Sequence, residues 1–364
     1  AEFELAEHHL RQALADAQQL HNPYLEGHAR NNLGVLAIRR GDLAGARMHY
    51  EASLTIFESV ADPRARALLT GNLAEIDYKQ GDLPSALNRC RLALREWRQL
   101  ADHWGESATL IVQGVTFLAC SRYGEALDAL LTSLQLARAI PYPRTIALAL
   151  DGVGRVQMEH GMYAQASALF TEAAGHAANA GERHLQCYAR LGYCQSLVAS
   201  GDLAAVTPVL EKVCDLAGDI DDRHLQNELR STQALLCQAQ GNLPAARAYL
   251  DQALAEETGR TYAIHRLDLL LGLATVELES ASPRAGQLLR EAWAAAQQFG
   301  MPRRLAQAAL RLAALAAKEE DRPAAVEWFQ RAETTRAQTG FVWQPWEQTT
   351  AATLSRWSEP QSND

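Results

Sequence analysis

The chain has 364 residues and a formal net charge of −9, from 34 basic and 43 acidic side chains. This acidic balance argues against nucleic acid as a direct partner, because non-specific affinity for a phosphate backbone comes from clustered positive charge. Alanine is abundant throughout the chain, and with Leu, Arg, Gln and Glu it favours an all-α protein and excludes collagen, a disulfide scaffold and a disordered chain.

A Gly-Asp-Leu motif recurs with a 40-residue period. Gly41, Gly81 and Gly201 each begin such a triplet, and Gly241 begins Gly-Asn-Leu. Weaker versions occupy the same spacing at positions 121, 161, 281 and 321. A regular period of this length is typical of a stacked repeat array. The sequence therefore predicts about eight helix pairs over residues 23–340, forming one solenoid.

Residues 1–22 precede the first complete unit and are predicted to be the second helix of a truncated repeat. The chain begins within a helical pattern and without Met, so we expect a domain excised from a longer protein. A repeat helix that lacks its partner leaves an apolar surface uncovered, so we predict self-association through this end of the array. Six cysteines without a CxxC pair, no signal peptide and no apolar run long enough to span a bilayer predict a cytoplasmic protein that does not contact membranes.

In the first complete unit, the pattern predicts helix A over about residues 24–40 and helix B over about 43–59. Gly41 suits the left-handed position that ends a helix, and Asp42 suits the cap of the next one. Small residues stand at Gly34 in helix A and at Ala46 in helix B, and equivalent small residues recur along the chain. We expect them to let the two helices of a unit approach closely.

These residues, together with an aromatic and a small-Leu pair, resemble the tetratricopeptide repeat (TPR) consensus. The residues that carry the resemblance are Leu33-Gly34, Gly41, Ala46, Tyr50 and Ser53-Leu54. The family's unit has 34 residues, so units of 40 imply longer helices. The resemblance implies a right-handed α-α superhelix of antiparallel helix pairs.

The connections between units and the end of the array are similar to the C-terminal TPR tails of bacterial signal-transduction ATPases with numerous domains (STAND). The phrases are residues 59–64, 99–105 and 325–333, and they also occur in arrays attached to proteases, kinases and cyclases. The resemblance implies a sensor or scaffold domain of a larger bacterial signalling protein, either a STAND-type ATPase or a transcriptional regulator. A stand-alone peptide-binding adaptor and the regulatory arm of a protease or other enzyme remain as alternatives.

In a TPR superhelix, helix A lines the concave side, so the resemblance implies that residues near the middle of each helix A face the groove. The polar residues assigned to this ligand-binding groove are Asn31, Asn32, Asn72, Glu75, Asp151, Arg155, Gln195 and Ser231. The wider set of inner positions includes Leu191, Leu235, Leu271, Thr275 and Arg311. Such a mixture suits a protein or peptide, or a small-molecule inducer, and the amides can bond an extended backbone.

No GxxxxGK[ST], HExxH or GxSxG motif occurs in the sequence. His184, Cys187 and Cys194 share one predicted helix, but a zinc site needs a fourth ligand and a closed geometry. We therefore expect no catalysis in this chain, no cofactor and no metal.

The end of the chain carries Trp343, Trp346, Leu354 and Trp357 after the last unit. Residues 341–357 are predicted to form a capping helix, because a terminal repeat needs its apolar face covered. The polar residues 358–364 are predicted to be a disordered tail.

Overall fold

A computed structural model describes residues 2–140, 142–220, 222–257 and 263–358. Within these ranges the chain forms eighteen α-helices and no strand, which confirms the all-α prediction. None of these helices is both long and apolar enough to cross a membrane. The helices are α1 (Glu2–Gln19), α2 (Pro23–Arg39), α3 (Leu43–Ser59), α4 (Pro63–Lys79), α5 (Leu83–Gln99), α6 (His103–Ala119), α7 (Tyr123–Ala139), α8 (Pro143–Glu159), α9 (Tyr163–Asn179), α10 (Arg183–Ser200), α11 (Leu203–Ala217), α12 (Arg223–Ala239), α13 (Leu243–Glu256), α14 (Ala263–Glu279), α15 (Ala285–Gln298), α16 (Pro302–Lys318), α17 (Arg322–Thr339) and α18 (Pro345–Ser358).

The first complete unit consists of α2 and α3, whose bounds agree with the predicted helices A and B to within one residue. Gly41 turns the chain between them with a φ of 76°, a conformation that costs least for glycine. Asp42 then caps α3, because its Oδ1 accepts a hydrogen bond from the backbone N–H of Gly45 at 2.8 Å. Even-numbered helices from α2 to α16 are thus the A helices, and odd-numbered helices from α3 to α17 are the B helices.

Close approach of the two helices in a unit depends on the small residues. Ala46 is completely buried, and a Cβ added at Gly34 would lie 2.5 Å from the ring of Tyr50. The fourth unit repeats this contact, because a Cβ at Gly154 would lie 2.8 Å from the ring of Phe170. The predicted close contact between helices A and B is therefore confirmed, and the repeat period places aromatic rings against it.

Neighbouring units are also joined by a recurring charged pair. Arg47 on α3 donates to Asp77 on α4 at 2.6 Å, and Arg247 on α13 donates to Glu277 on α14 at 3.0 Å. Both acids are buried. The two pairs are separated by five whole units, so they occupy the same positions of the repeat. In both places they link helix B of one unit to helix A of the next.

The solenoid curls tightly enough for its C-terminal part to contact the middle units. The backbone N–H of Arg303 donates to Ser121 Oγ at 3.1 Å, and that of Val342 donates to the carbonyl of Glu159 at 2.9 Å. The ring of Phe299 also packs against the turn at Gly81. Because of this curvature, A helices of distant units approach one another across the concave side of the solenoid, the channel.

The two ends of the array differ in how they are covered. On α1, Leu5 is 59% exposed. Helix α18 packs on α16 and α17, and its Ala351 and Leu354 are buried in one core with Phe329. Helix α18 reaches Ser358, and residues 359–364, predicted to form the rest of a disordered tail, lie outside the described residues.

Candidate ligand-binding site

The eight residues assigned to the groove all lie on A helices, spread over five units. They are Asn31 and Asn32 on α2, Asn72 and Glu75 on α4, Asp151 and Arg155 on α8, Gln195 on α10, and Ser231 on α12.

Three of these residues form a small chain of amides between α2 and α4. Asn72 Nδ2 donates to Asn31 Oδ1, and Asn31 Nδ2 donates to Asn32 Oδ1, both at 3.4 Å. Bonds of this length are weak. Each amide can donate two hydrogen bonds and accept others, so the three side chains retain capacity for an extended backbone.

The charged members of the set are paired within their own helices. Lys79 Nζ lies 2.7 Å from Glu75 Oε1, and Arg155 Nε donates to Asp151 Oδ2 at 2.8 Å. The Lys79 ammonium is the main reason that the pKa of Glu75 lies below its usual range. Asp151 likewise raises the pKa of Arg155. At these two places the inner wall therefore carries both signs of charge in compensated pairs.

Opposite walls of the channel lie within electrostatic reach of each other. Burial raises the pKa of Tyr78 on α4, while Arg155 on α8 and Arg304 on α16 act in the opposite direction. Helices separated by as many as six units in sequence thus face one another. A ligand in the channel would contact more than one wall.

Towards the C-terminal end the channel contains a cavity of about 190 Å³. It lies between α10, α12, α14 and α16, and the segment before α18 closes one side. Its lining includes four glutamine amides, with two hydroxyl groups, four charged side chains and Trp346: Gln195, Gln238, Gln307 and Gln344; Ser231 and Thr275; Glu159, Asp268, Arg304 and Arg311.

Charged residues at this cavity already have partners. Arg304 donates to both carboxylate oxygens of Asp268, at 2.8 and 3.2 Å. Arg311 donates to Thr275 Oγ1 at 2.5 Å, and its guanidinium lies 4.6 Å from the centre of the Trp346 ring. Three of the glutamines also have partners, because Gln195 Nε2 donates to Glu228, Gln238 Nε2 to Glu279 and Gln307 Nε2 to Glu347. Each amide also has an oxygen that can accept hydrogen bonds, so the cavity still offers amide and hydroxyl groups, which suit peptide groups better than a free ion.

The structure brings Gln195 and Ser231 together in this cavity and places the three asparagines on the N-terminal units instead. The expectation for Leu191 is wrong, because it is completely buried in the core around α10 to α12. The residue points between stacked units, where apolar burial is favoured over exposure to the channel.

Sequence reasoning did not find Gln238, Gln307 and Gln344. Gln238 follows the small residue Ala234 by one helical turn, so the repeat pattern could have predicted that it faces the channel. Gln307 precedes Arg311 by one turn in a degenerate unit. Gln344 lies outside the repeats, and only the curvature of the solenoid brings it to the cavity.

A second hollow of about 560 Å³ lies on the surface at the connections between units. Arg64, Asp102, Trp104 and Tyr142 are among its lining residues. Asp102 is already used, because its carboxylate caps α6 through the N–H of Gly105 and lies 2.8 Å from Arg64. This surface hollow offers fewer polar groups to a ligand than the channel cavity does.

The thiol and imidazole singled out on α10 do not form a reactive pair. Burial raises the pKa of Cys187 to about 11, so this thiol is protonated at neutral pH and is a poor nucleophile. His184 lies with its Nδ1 3.3 Å from Glu182 Oε2. Cys194 is buried as well, and burial raises its pKa to about 12.

Comparison with known proteins agrees with this architecture. The tetratricopeptide repeat pattern matches residues 27–64, which span the helices of the first complete unit. No curated protein matches the chain in sequence. The fold is that of a TPR solenoid, and this chain carries the repeat of that family.

Three solved structures share this fold at low sequence identity. A Rap protein in complex with competence and sporulation factor has a TM-score of 0.62 at 12% identity, covering 92% of this chain and 96% of that one. The Rap conjugation gene regulator of the plasmid pLS20, in complex with a Phr peptide, has a TM-score of 0.66 at 15% identity, with 78% and 77% covered. NprR in complex with its cognate peptide NprX has a TM-score of 0.58 at 14% identity, with 90% and 98% covered.

Proposed function

We propose that this chain is a peptide-binding TPR sensor domain that takes an extended segment of a peptide or protein along its channel. The observation that carries this proposal is the amide-lined cavity between α10 and α16, with Gln195 and Ser231 on one wall and Gln344 on the closing segment. Glutamine amides match the alternating donors and acceptors of an extended backbone. Three structures of the same fold hold peptides or a peptide factor, which supports the choice of ligand class.

The cavity size limits what it can hold. A volume of about 190 Å³ is below the roughly 300–1,000 Å³ of ordinary small-molecule pockets. It suits an anchoring residue or two of a longer ligand. The rest of the ligand would follow the channel past Asp151 and Arg155 towards Asn31, Asn32, Asn72 and Glu75.

Binding at this position would act on the closure of the solenoid. Gln195 and Ser231 belong to the fifth and sixth units, whereas Gln307 and Gln344 belong to the C-terminal part, which contacts the second to fourth units at Gly81, Ser121 and Glu159. A ligand that bonds both sides binds the closed arrangement better than an opened one. Differential affinity of this kind is what allows a ligand to shift a conformational equilibrium.

The test uses a phage library of random dodecapeptides selected on the whole chain. Enriched peptides should bind the double variant Gln195→Ala and Gln238→Ala about tenfold or more weakly, because each lost hydrogen bond contributes about 0.5–1.5 kcal/mol. The matched control is Gln135→Ala, on the exposed side of helix B α7. Equal affinity of the double variant and the control would reject the cavity as the site.

A second variant tests the remainder of the groove. Replacing Glu75 and Arg155 by alanine should weaken the same peptides while circular dichroism shows unchanged helicity. Both side chains are partly exposed on the channel wall, at 43% and 34%. Unaltered affinity would restrict the ligand to the C-terminal cavity.

The setting of this domain is the second part of the proposal. The connecting phrases between units favour a larger bacterial signalling protein, of the STAND type or a transcriptional regulator, over a stand-alone adaptor or the arm of another enzyme. Reading the native coding sequence upstream of Ala1 tests this directly. A GxxxxGK[ST] motif after a predicted strand would support the STAND assignment, and only further repeats and a start codon would favour the adaptor.

We assign no catalytic step to the chain itself. Hydrolysis by the isolated chain, abolished by one substitution within it, would overturn that assignment.

A further inference from the structure

The sixth and seventh units meet at a cluster of metal-ligating side chains away from the amide-lined cavity. The cluster consists of His224 in the first turn of α12, Glu257 directly after α13, and His265 in the first turn of α14. One donor atom from each of the three lies within 4.8 Å of the others. Among the residues that the structure describes, no other such group of three is found.

His265 is the strongest sign that the cluster is built for a ligand. The residue is only 7% exposed, yet its Nε2 has no hydrogen-bond partner. Its other ring nitrogen, Nδ1, lies 3.4 Å from Glu228 Oε2. A carboxylate at Nδ1 holds the proton there and leaves the Nε2 lone pair directed at the cluster, which is how metal-binding histidines are oriented in proteins.

The Glu257 carboxylate is also buried and lies close to His265. It is 7% exposed, its Oε1 lies 4.0 Å from His265 Nε2, and it accepts a hydrogen bond from Asn227 Nδ2 at 3.2 Å. One amide donor does not neutralise a buried carboxylate, whereas a cation would. The carboxylate can supply one oxygen atom as a ligand.

The rings of His224 and His265 meet edge to face, with centroids 4.6 Å apart. The positive charges of Lys79 and Arg155 lie close enough to act on His224. Lys79 and Arg155 are themselves paired with Glu75 and Asp151, so their opposition to a cation is reduced.

We propose that His224, Glu257 and His265 form a binding site for a divalent transition-metal ion of the Zn²⁺ class. Two nitrogens and one carboxylate oxygen suit zinc, whereas calcium and magnesium prefer oxygen ligands alone. Three atoms 4.8 Å apart lie about 2.8 Å from their common centre, so each must move inward by less than about 1 Å to reach a bond of roughly 2.0–2.2 Å. Water occupies the fourth position.

The ion would join three helices that belong to two units. It links the start of α12, the end of α13 and the start of α14. The site thus fastens unit six to unit seven, next to the channel but with no residue of the amide-lined cavity among its ligands. The two sites share one neighbour, because Gln195 Nε2 donates at 3.1 Å to Glu228, whose other oxygen lies beside His265 Nδ1. The variants H265Q and E257Q leave Gln195 and Glu228 unchanged, so they separate failure of the metal site from failure of the peptide site.

The experiment is a zinc titration of the whole chain, stripped with a chelator and then followed with a competing chromophoric chelator. We expect one Zn²⁺ per chain and a higher melting temperature with the metal, since only the folded state holds the three ligands together. H265Q and E257Q should each lower the affinity by at least tenfold. The matched control is H184Q, which alters the residue that precedes His224 by one 40-residue unit and should leave affinity unchanged.

Two further measurements keep the result unambiguous. Cobalt substitution should give the visible bands of nitrogen and oxygen ligation without thiolate charge-transfer bands, which excludes binding by Cys214 or another thiol. If H265Q and E257Q do not fold, E228Q removes the carboxylate beside His265 Nδ1, which also accepts a hydrogen bond from Gln195, and should weaken zinc by about tenfold or more. Wild-type chain that binds no zinc, or binds it no better than folded H265Q, E257Q or E228Q, overturns the proposal.

Discussion

The substitution Glu347→Gln tests how the C-terminal end is locked onto the middle of the solenoid. Glu347 is 1% exposed and accepts hydrogen bonds from Arg303 Nη2 at 2.7 Å and Gln307 Nε2 at 2.8 Å. Arg303 is equally buried and also donates to Glu159 at 2.8 Å. The amide removes one negative charge from this network and leaves its volume unchanged.

The expected cost follows from burial of the partner. Breaking a buried ion pair by removing one charge costs about 3–5 kcal/mol, because the remaining charge stays desolvated. Arg303 keeps Glu159, and the amide oxygen still accepts one bond, so we expect about 3 kcal/mol. That corresponds to about a hundredfold increase in the opening constant of α18.

Hydrogen exchange followed by mass spectrometry measures this opening segment by segment, which suits a repeat array whose units need not unfold together. Peptides covering residues 341–357 should exchange about a hundredfold faster, and those covering α2 and α3 should not change. The control is Glu327→Gln in α17, whose partner Arg331 lies 2.6 Å away in an exposed i,i+4 pair. Such pairs contribute about 0–1 kcal/mol. If the two variants exchange alike, the buried network does not lock the end.

Four other outcomes are expected. Ala46→Leu should destabilise the first unit by about 1–3 kcal/mol in urea unfolding, because this side chain is fully buried between helices, whereas Ala44→Leu on the exposed side should have little effect. Asp77→Asn should cost about 3 kcal/mol in the same assay, since its buried carboxylate pairs with two arginines; a value below about 1 kcal/mol would show that the pairs contribute little. Burial alone would raise the pKa of Glu347, but its arginines outweigh burial and lower it, so its stabilisation is complete above about pH 4.3 and is lost as the pH falls through the lowered pKa; the protection of residues 341–357, relative to the intrinsic exchange rate at each pH, should fall in acid, and Glu347→Gln should remove that fall. Iodoacetamide should label the exposed Cys214 before the buried thiols of the native chain, and prior labelling of a buried thiol, identified by peptide mapping, would contradict the burial of that thiol.

Much of the fold could be predicted because its determinants are local. Asp42 and Gly41 define a helix end within one turn of chain, and Ala46 and Gly34 are close in sequence as well as in space. The helices also form in units that depart from this pattern. The turns before α7 and α9 have Arg122 and Met162 at the cap, and neither forms a side-chain cap bond.

The candidate site was only partly predictable. The repeat grid identified Gln195 and Ser231, because inner positions recur with the period. The same rule also selected Leu191, which the structure buries between units. A position on helix A faces either the channel or the neighbouring unit according to a modest rotation of the helix about its axis, and the sequence period alone does not resolve that difference.

The sequence by itself determined the 40-residue period, the helix pair in each unit, the caps and the small contact positions. These follow from hydrogen bonds and packing within a single unit of the chain. Only the tertiary structure decided that Arg303 meets Glu159 and Ser121, that Gln344 closes a cavity begun by Gln195, and that His265 lies beside His224. Those contacts depend on the small rotation between successive units, which accumulates along the solenoid and has no local signature in the residues that it brings together.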